Sequence, residues 1–334
     1  MSKNTISIKK IAELAGTSVA TVSRVINHNG RYSKETEEKI LQIMEEYNYQ
    51  PNYLAKALRE NKTNLIGIII PDITNMFFAK IYRAIELELY QHGYLPVLCD
   101  TNEDKELEEK YIENLNYLRF AGLICLNGTQ LRLPSNLPTL YVDRQPEQAE
   151  NEDIYFIGCD NFQGGYLATE ALIKSGRKHI SMIIHDKLIA TQKERYNGFA
   201  RAMQDYGIPL NPDYMLTVEQ ITYNDGYAIT GKLFDKTRGI DGIFYSSDIL
   251  AIGGLNYLKD HGISVPEDVS LIGFDDIPLS AINNLTTIQQ QTALMGQTAA
   301  RTIIDLIHDR KVEKKQITEV KLIERRTHKI LPSS

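Results

Sequence analysis

Residues 8–27, IKKIAELAGTSVATVSRVIN, read as two short helices joined by a sharp turn. Ile8, Ile11, Ala12, Leu14 and Ala15 recur at helical spacing and predict one apolar stripe on the first helix. Gly16 breaks the run, as a residue tolerant of left-handed φ does at a helix end. Thr17 and Ser18 follow, and Ser18 is placed to cap a second helix whose inward face is Val22, Val25 and Ile26. Its outward face carries Val19, Ala20, Thr21, Ser23, Arg24 and Asn27: small groups, hydroxyls, one amide and one guanidinium. Such a face can enter a major groove, from which bulky or acidic side chains would be excluded. Ala12 is small where the two helices would cross. The pattern is a helix-turn-helix, although a plain helical hairpin would share much of this spacing.

Working outward, the loop HNGRYS leads to Ser33, a cap for a third helix running to about Tyr49 with Ile40, Ile43, Met44 and Tyr47 inward. Three helices in about fifty residues form a bundle barely large enough to be stable alone. Residues 1–34 hold six Lys or Arg against one acid, Glu13, although the whole chain carries −6. A basic head on an acidic body lets a small module bind phosphates while the body stays off them. Lys3, Arg31 and Lys34 are placed for such contacts. Pro51 ends the third helix and Asn52 can cap a short one, Tyr53 to Arg59. So short a helix should form only when something pairs with it. Leu54, Ala55 and Leu58 share a face, and Leu58 flanked by Lys56 and Arg59 suits a wedge in a minor groove.

From Leu65 the texture changes. LIGIIIP is an apolar, β-branched run, as in a buried parallel strand. Strands are predicted near 65–71, 95–99, 121–126, 138–142 and 154–158, then near 180–184, 213–217, 241–246 and 269–274. Helices between them include 76–92, 163–175, 194–206, 248–261 and 292–309. Two βα series predict an α/β fold of two doubly wound parallel-sheet lobes behind the helical head. The 334 residues suffice for two or three domains, and 43% are apolar, enough for a sizeable core. No run of about 18 apolar residues could span a membrane. The opening MSKNTISIKK has no apolar core of a secretory signal, so a cytoplasmic location is expected. Cys99, Cys125 and Cys159 have no CxxC pairing and lie in or beside apolar runs, which predicts buried thiols. No GxGxxG, Walker A, HExxH or GxSxG sequence is present, so neither enzymatic activity nor a cofactor or metal is expected.

ISIKKIAELAGTSVATVSRVIN (6–27) and YNYQPNYLAKALRENKTNLIGIIIPDITNMFFAKI (47–81) together resemble the LacI/GalR family of bacterial transcription regulators. The likeness continues through YVDR (141–144), CDNFQGGYLATEALIKSGRKHISMI (159–183), ERYNGF (194–199), YSSDILAIGGLNYLKDHGISVPEDVSLIGFDDIP (245–278), LTTI (285–288) and LIERRT (322–327). It implies a headpiece at 1–50, a hinge helix and linker at 51–62, and a periplasmic-binding-protein-like body at 63–334. The N-lobe would hold about 63–160 and 290–318, the C-lobe about 161–287 and 320–334. Crossings would fall near 159–162, 286–291 and 318–322. A homodimer is expected, because the chain stops at ILPSS without a heptad tail.

The resemblance also implies site residues. DNA contacts fall on Thr17, Ser18, Val19, Ala20, Thr21, Ser23, Arg24, Asn27 and Arg31, with Ala55, Lys56 and Leu58 in the hinge. Arg24 is the best reader of a guanine edge. The partner is double-stranded operator DNA, a pseudo-palindrome. A small sugar is expected between the lobes, where strands end. Its candidates are Asp72, Phe77, Phe78, Asp143, Asp160, Arg195, Tyr223, Ser247, Asp248 and Asp275. Carboxylates and a guanidinium match vicinal hydroxyls, and Phe77 or Phe78 would offer a flat face. Asp248 can equally be a helix cap or a structural tie. Two departures stand out. Met76 replaces a proline common in relatives, which would loosen its loop, and Ile221 replaces a stacking aromatic, for which Tyr223 can substitute. The expectation is a repressor of sugar-utilisation genes. A purine or phosphoprotein effector, or a sugar-binding protein without DNA, are the alternatives.

Overall fold

The computed structural model describes residues 6–26, 29–49, 63–128, 137–146, 154–187 and 189–328. The chain divides into two compact units, 1–63 and 64–334. In the first, α1 (Ile8–Ala15), α2 (Val19–Ile26) and α3 (Lys34–Glu46) follow one another. Ser7 Oγ accepts the Lys10 N–H at 3.3 Å and starts α1. Gly16, at φ 68°, ends it by returning its N–H to the Ala12 and Glu13 carbonyls. Ser18 Oγ accepts the Thr21 N–H at 3.1 Å, and Ser33 Oγ the Thr36 N–H at 3.1 Å. Ile11, Val22, Val25 and Ile40 are fully buried, with Ala12 and Ala15 beside them.

The predicted stripe is narrower in the structure. Leu14 is 36% exposed, because only the Ile11–Ala12–Ala15 edge of this two-turn helix faces its neighbours. The third helix stops at Glu46, and Tyr47 is its exposed C-cap rather than part of its inward face. Val19, placed outward by pattern, is half-buried against the small core.

The second unit has two sheets. β1 (Leu65–Ile70), α4 (Met76–Gln91), β2 (Leu95–Asp100), α5 (Lys105–Tyr117), β3 (Gly122–Cys125), β4 (Thr139–Val142) and β5 (Phe156–Cys159) open the first lobe. The second lobe takes α6 (Asn161–Lys174), β6 (Ile180–His185), α7 (Ala190–Asp205), β7 (Met215–Val218), α8 (Tyr223–Lys236), β8 (Gly242–Tyr245), α9 (Asp248–Asp260), β9 (Ser270–Asp275), α10 (Pro278–Ile282) and β10 (Thr287–Gln290). The chain then returns with α11 (Thr292–Ile307), which packs on α4, and β11 (Lys315–Thr318), which pairs with β5. It crosses back with β12 (Val320–Ile323). The sheet orders are β11-β5-β4-β3-β1-β2 and β12-β10-β9-β8-β6-β7. Every pairing is parallel except β10 with β12. Three links therefore join the lobes, at Cys159–Asn161, Gln290–Thr292 and Thr318–Val320. Parallel strands covered on both faces explain the unbroken apolar runs: Ile66, Ile68, Ile69 and Ile70 of β1 are all fully buried.

Two boundaries differ from the pattern. α7 starts at Ala190, not 194, so Arg195 lies in its second turn instead of opening it. The run 213–217 begins as a 3₁₀ turn at Pro212–Tyr214 before β7. The three cysteines are buried thiols, and burial pushes Cys99 up to about 11. Among the described residues, no helix is long and apolar enough to cross a membrane.

Candidate functional site

On α2, Ala20 and Arg24 are exposed, and Val19, Thr21 and Ser23 are half-buried. Thr21 Oγ1 lies 2.9 Å from Ser18 Oγ, so the cap and the face share hydroxyls. Gly30, at φ 88°, comes close to the Arg24 stem: a Cβ there would stand 3.1 Å from Arg24 Cδ. The glycine thus leaves room for the arginine to lie across the turn with its guanidinium in solvent. Thr17, Ser18 and Arg31 flank this face, half-buried, exposed and exposed in turn. Asn27, Ala55, Lys56 and Leu58 lie outside the described residues.

In the body, the candidates gather where parallel strands end. Arg195 is 4% exposed. Its Nε donates to Asn161 Oδ1 at 2.8 Å and its Nη1 to the Ser246 carbonyl at 2.5 Å. Its Nη2 lies 3.8 Å from Asp275 Oδ1, and its guanidinium sits 3.7 Å over the Phe274 ring. Gly165 makes this possible: a Cβ there would stand 2.1 Å from the Arg195 carbonyl oxygen, so α6 and α7 cross only without one. Asp275 accepts the Gln290 amide at 2.7 Å and a bond from Ser247. Gln290 Oε1 in turn accepts the Cys159 thiol at 2.9 Å. Burial pushes Asp275 up to about 7, against the pull of Arg195. Asp143 is 4% exposed, and burial raises it despite Arg195 and Arg144. Asp143, Asp275 and Asp276 all have positive φ, at 64°, 115° and 52°, a strain that marks strand-end sites.

A cavity of about 260 Å³ opens beside this cluster. Asp143, Asp160, Asn161, Thr191 and Cys159 line its polar side, with Phe156, Phe162 and Ile317 as apolar wall and Glu194 and Lys315 at its rim. Five buried side-chain atoms in this region make no hydrogen bond: Asp143 Oδ1, Gln192 Oε1, Ser246 Oγ, and Asn127 Oδ1 and Nδ2. They follow β3, β4 and β8 or stand in the first turn of α7. Orphaned buried polar groups are costly unless something meets them.

The expected residues do not all join this cluster. Asp160 lines the cavity but also caps α6, accepting the Gln163 N–H at 2.8 Å. Asp72 accepts the Thr74 N–H and hydroxyl at 2.7 and 2.6 Å, and Asn75 caps α4. That loop is tied by its own side chains, ahead of Met76 at the start of α4. Phe77 and Phe78 are core residues, 4% and 3% exposed, and Arg144 covers the Phe78 ring at 5.1 Å. Neither offers the open face expected. Tyr223 turns to α9, where its hydroxyl accepts the Asn256 amide at 3.0 Å, and Ile221 packs on the core. Asp248 is fully buried and accepts from the Ile277 N–H, Ser280 and Thr287 at 3.0, 2.5 and 2.5 Å. It is a structural tie between α9, α10 and β10. Sequence reasoning missed Asn127, Asn161, Thr191, Gln192, Ser246 and Gln290, as well as the wall of Phe156 and Phe162.

Residues 7–52 match the bacterial regulatory proteins of the lacI family, and residues 169–328 match a periplasmic binding protein-like domain. The chain is 34% identical to the HTH-type transcriptional repressor PurR of Pasteurella multocida, over 92% of this chain and 93% of that protein. It is 35% identical to a ribose operon repressor of Halalkalibacterium halodurans, over 93% and 91%. The lac repressor dimer bound to operator and an anti-inducer superposes with a TM-score of 0.85 at 25% identity, over 98% and 100% of the two chains. A LacI family transcriptional regulator from Enterococcus faecium with bound ribose gives 0.71 at 29%, over 80% and 99%.

Proposed function

Because the chain belongs to the lacI family of DNA-binding transcription regulators, we propose that it represses sugar-utilisation genes and that a small sugar in the interlobe cavity sets its grip on operator DNA. The observation that carries this is the Arg195–Asp275–Gln290 chain beside a small cavity into whose lining Asp143 brings a buried oxygen, Oδ1, without a partner. Carboxylates and an amide matched to an apolar wall, with Arg195 holding the strand ends behind them, suit a ring with hydroxyls on its edges and C–H groups on its faces. About 260 Å³ falls below the ~300–1,000 Å³ of pockets for drug-sized ligands, which suits a single sugar ring.

The sugar would act by preferring one arrangement of the lobes. Lys80 Nζ on α4 donates to the Asp276 carbonyl at 3.1 Å, and Glu103 lies 4.0 Å from Lys187, so the lobes already touch across the cleft. A ligand that tightens or breaks those contacts shifts the arrangement, and through the expected hinge the headpiece. A 100-fold change in operator affinity needs about 2.7 kcal/mol of coupling. On this reading the chain works as a cytoplasmic homodimer on a pseudo-palindromic site, and it is a regulator without catalysis.

The test is fluorescence anisotropy on a pseudo-palindromic DNA from upstream of its own gene, with a panel of monosaccharides. Specific binding changed by one sugar supports the reading. Specific binding changed by a purine and by no sugar rejects it.

A further inference from the structure

We propose that the cavity is a charge filter: it takes an uncharged, hydroxyl-rich sugar and refuses the same sugar once phosphorylated. This rests on the sugar reading above and goes further, to the ionic state of the ligand.

Two observations carry it. The orphaned buried atoms are mostly acceptors, and one of them, Asp143 Oδ1, belongs to the cavity lining. Asp143 Oδ1, Gln192 Oε1 and Asn127 Oδ1 can only accept, Asn127 Nδ2 can only donate, and Ser246 Oγ can do either. Asp143, Gln192 and Ser246 are 4%, 3% and 0% exposed, so they are shielded from bulk solvent. The missing partner must bring hydrogen-bond donors. A sugar hydroxyl does, and an ionised phosphate has only acceptors to offer.

The second observation is that the cations near the strand ends are already engaged. Arg195 is shared among Asn161, the Ser246 carbonyl, Asp275 and the Phe274 ring. Arg144 Nη1 donates to Glu103 at 3.1 Å while covering Phe78. Lys80 holds the Asp276 carbonyl, and Lys187 faces Glu103. Among the described lining residues of the cavity itself, three acids, Asp143, Asp160 and Glu194, outnumber one base, Lys315, which is exposed at the rim. A phosphate would therefore meet carboxylates where it needs donors, and would give up its hydration without repayment by a free guanidinium.

The test is calorimetric titration of the full chain with D-ribose, D-xylose and D-glucose, each beside its phosphate ester and an uncharged O-acetyl ester at the same position. The acetyl ester separates charge from bulk. The expected result is that one free sugar binds, its acetyl ester binds within about tenfold, and its phosphate binds at least 100-fold more weakly. Asp143→Asn is expected to weaken the free sugar and to narrow the gap to its phosphate, with far-ultraviolet dichroism confirming the fold. Lys315→Ala, which removes the one base of the lining, is expected to widen the gap. A phosphate that binds as tightly as its free sugar, or an acetyl ester refused as strongly as the phosphate, overturns the filter and leaves the sugar reading intact. Binding of a purine base with no sugar in either form overturns both.

Discussion

Arg195 is held by an amide oxygen, a carbonyl, an aromatic face and a carboxylate at once, so its replacement touches every wall of the cluster. Arg195→Ala is expected to abolish the sugar response while operator binding stays within about threefold, read by anisotropy with and without sugar. Arg195→Lys should not rescue it, because a lysine is a point charge without the planar fork. The pair Asp248 and Asp275 gives a pH signature. Burial pushes both up, to about 8 and about 7, helped at Asp248 by the charge of Asp275 and at Asp275 by that of Asp143. Each holds its proton more tightly in the folded chain than in the unfolded one, where Asp titrates near 4. The stability they confer is full below about 4 and is lost as the pH rises through about 7 to 8. The melting temperature should fall across that window, and Asp275→Asn should flatten the fall. On the headpiece, Arg24→Ala is expected to weaken operator binding by roughly 1–3 kcal/mol and to relax one base position, whereas Arg31→Ala should weaken all sequences alike and lower the salt slope by about one. Arg195 and Asp275 are legible in the sequence because charged residues stand within recognisable family motifs. Asn161 and Gln290 are not, because an amide carries no such mark, and its role depends on a partner 34 or 131 residues away.

Elements show the same division between periodic and positional information. α1 to α3 are visible as patterns because capping hydroxyls and apolar spacing are local, and Gly16, Ser18 and Ser33 act as the sequence implies. Which edge of a two-turn helix faces inward is set by its neighbours, which is why Leu14 and Tyr47 depart from expectation. In so small a core, Ile11→Ala would remove roughly 2–5 kcal/mol, comparable to the whole stability of the headpiece. The headpiece signals in an NMR spectrum should then collapse to random-coil positions while those of the body persist. α5, KELEEKYIENLNY, does not stand out by pattern, since its charges outnumber its apolar residues. Asp248 makes the opposite case. It follows a strand like a ligand contact, yet three donors from α10 and β10 surround it. Asp248→Ala would leave those donors unmet and is expected to destabilise the body by roughly 2–4 kcal/mol in denaturant titration.

At the scale of the molecule, alternation of strand and helix makes the two-lobed α/β body legible, because parallel sheets demand crossover helices. The crossing positions come from family likeness, as short strands such as β11, KQIT, have no apolar run to betray them. Leu87 and Tyr90 on α4, Leu95 on β2 and Ile282 on α10 are large apolar residues in water, with Tyr90 75% exposed. On the homodimer reading they supply the contact, and Tyr90→Glu should shift the mass in light scattering toward a monomer and weaken operator binding. The central claim is that sugar and operator are coupled through one body. The measurement that tests it most directly is a reciprocal titration: operator affinity with and without saturating sugar, and sugar affinity with and without operator. The account predicts one coupling factor, equal in both directions, of about 5- to 150-fold. A sugar that binds the cavity and leaves operator affinity unchanged would contradict it.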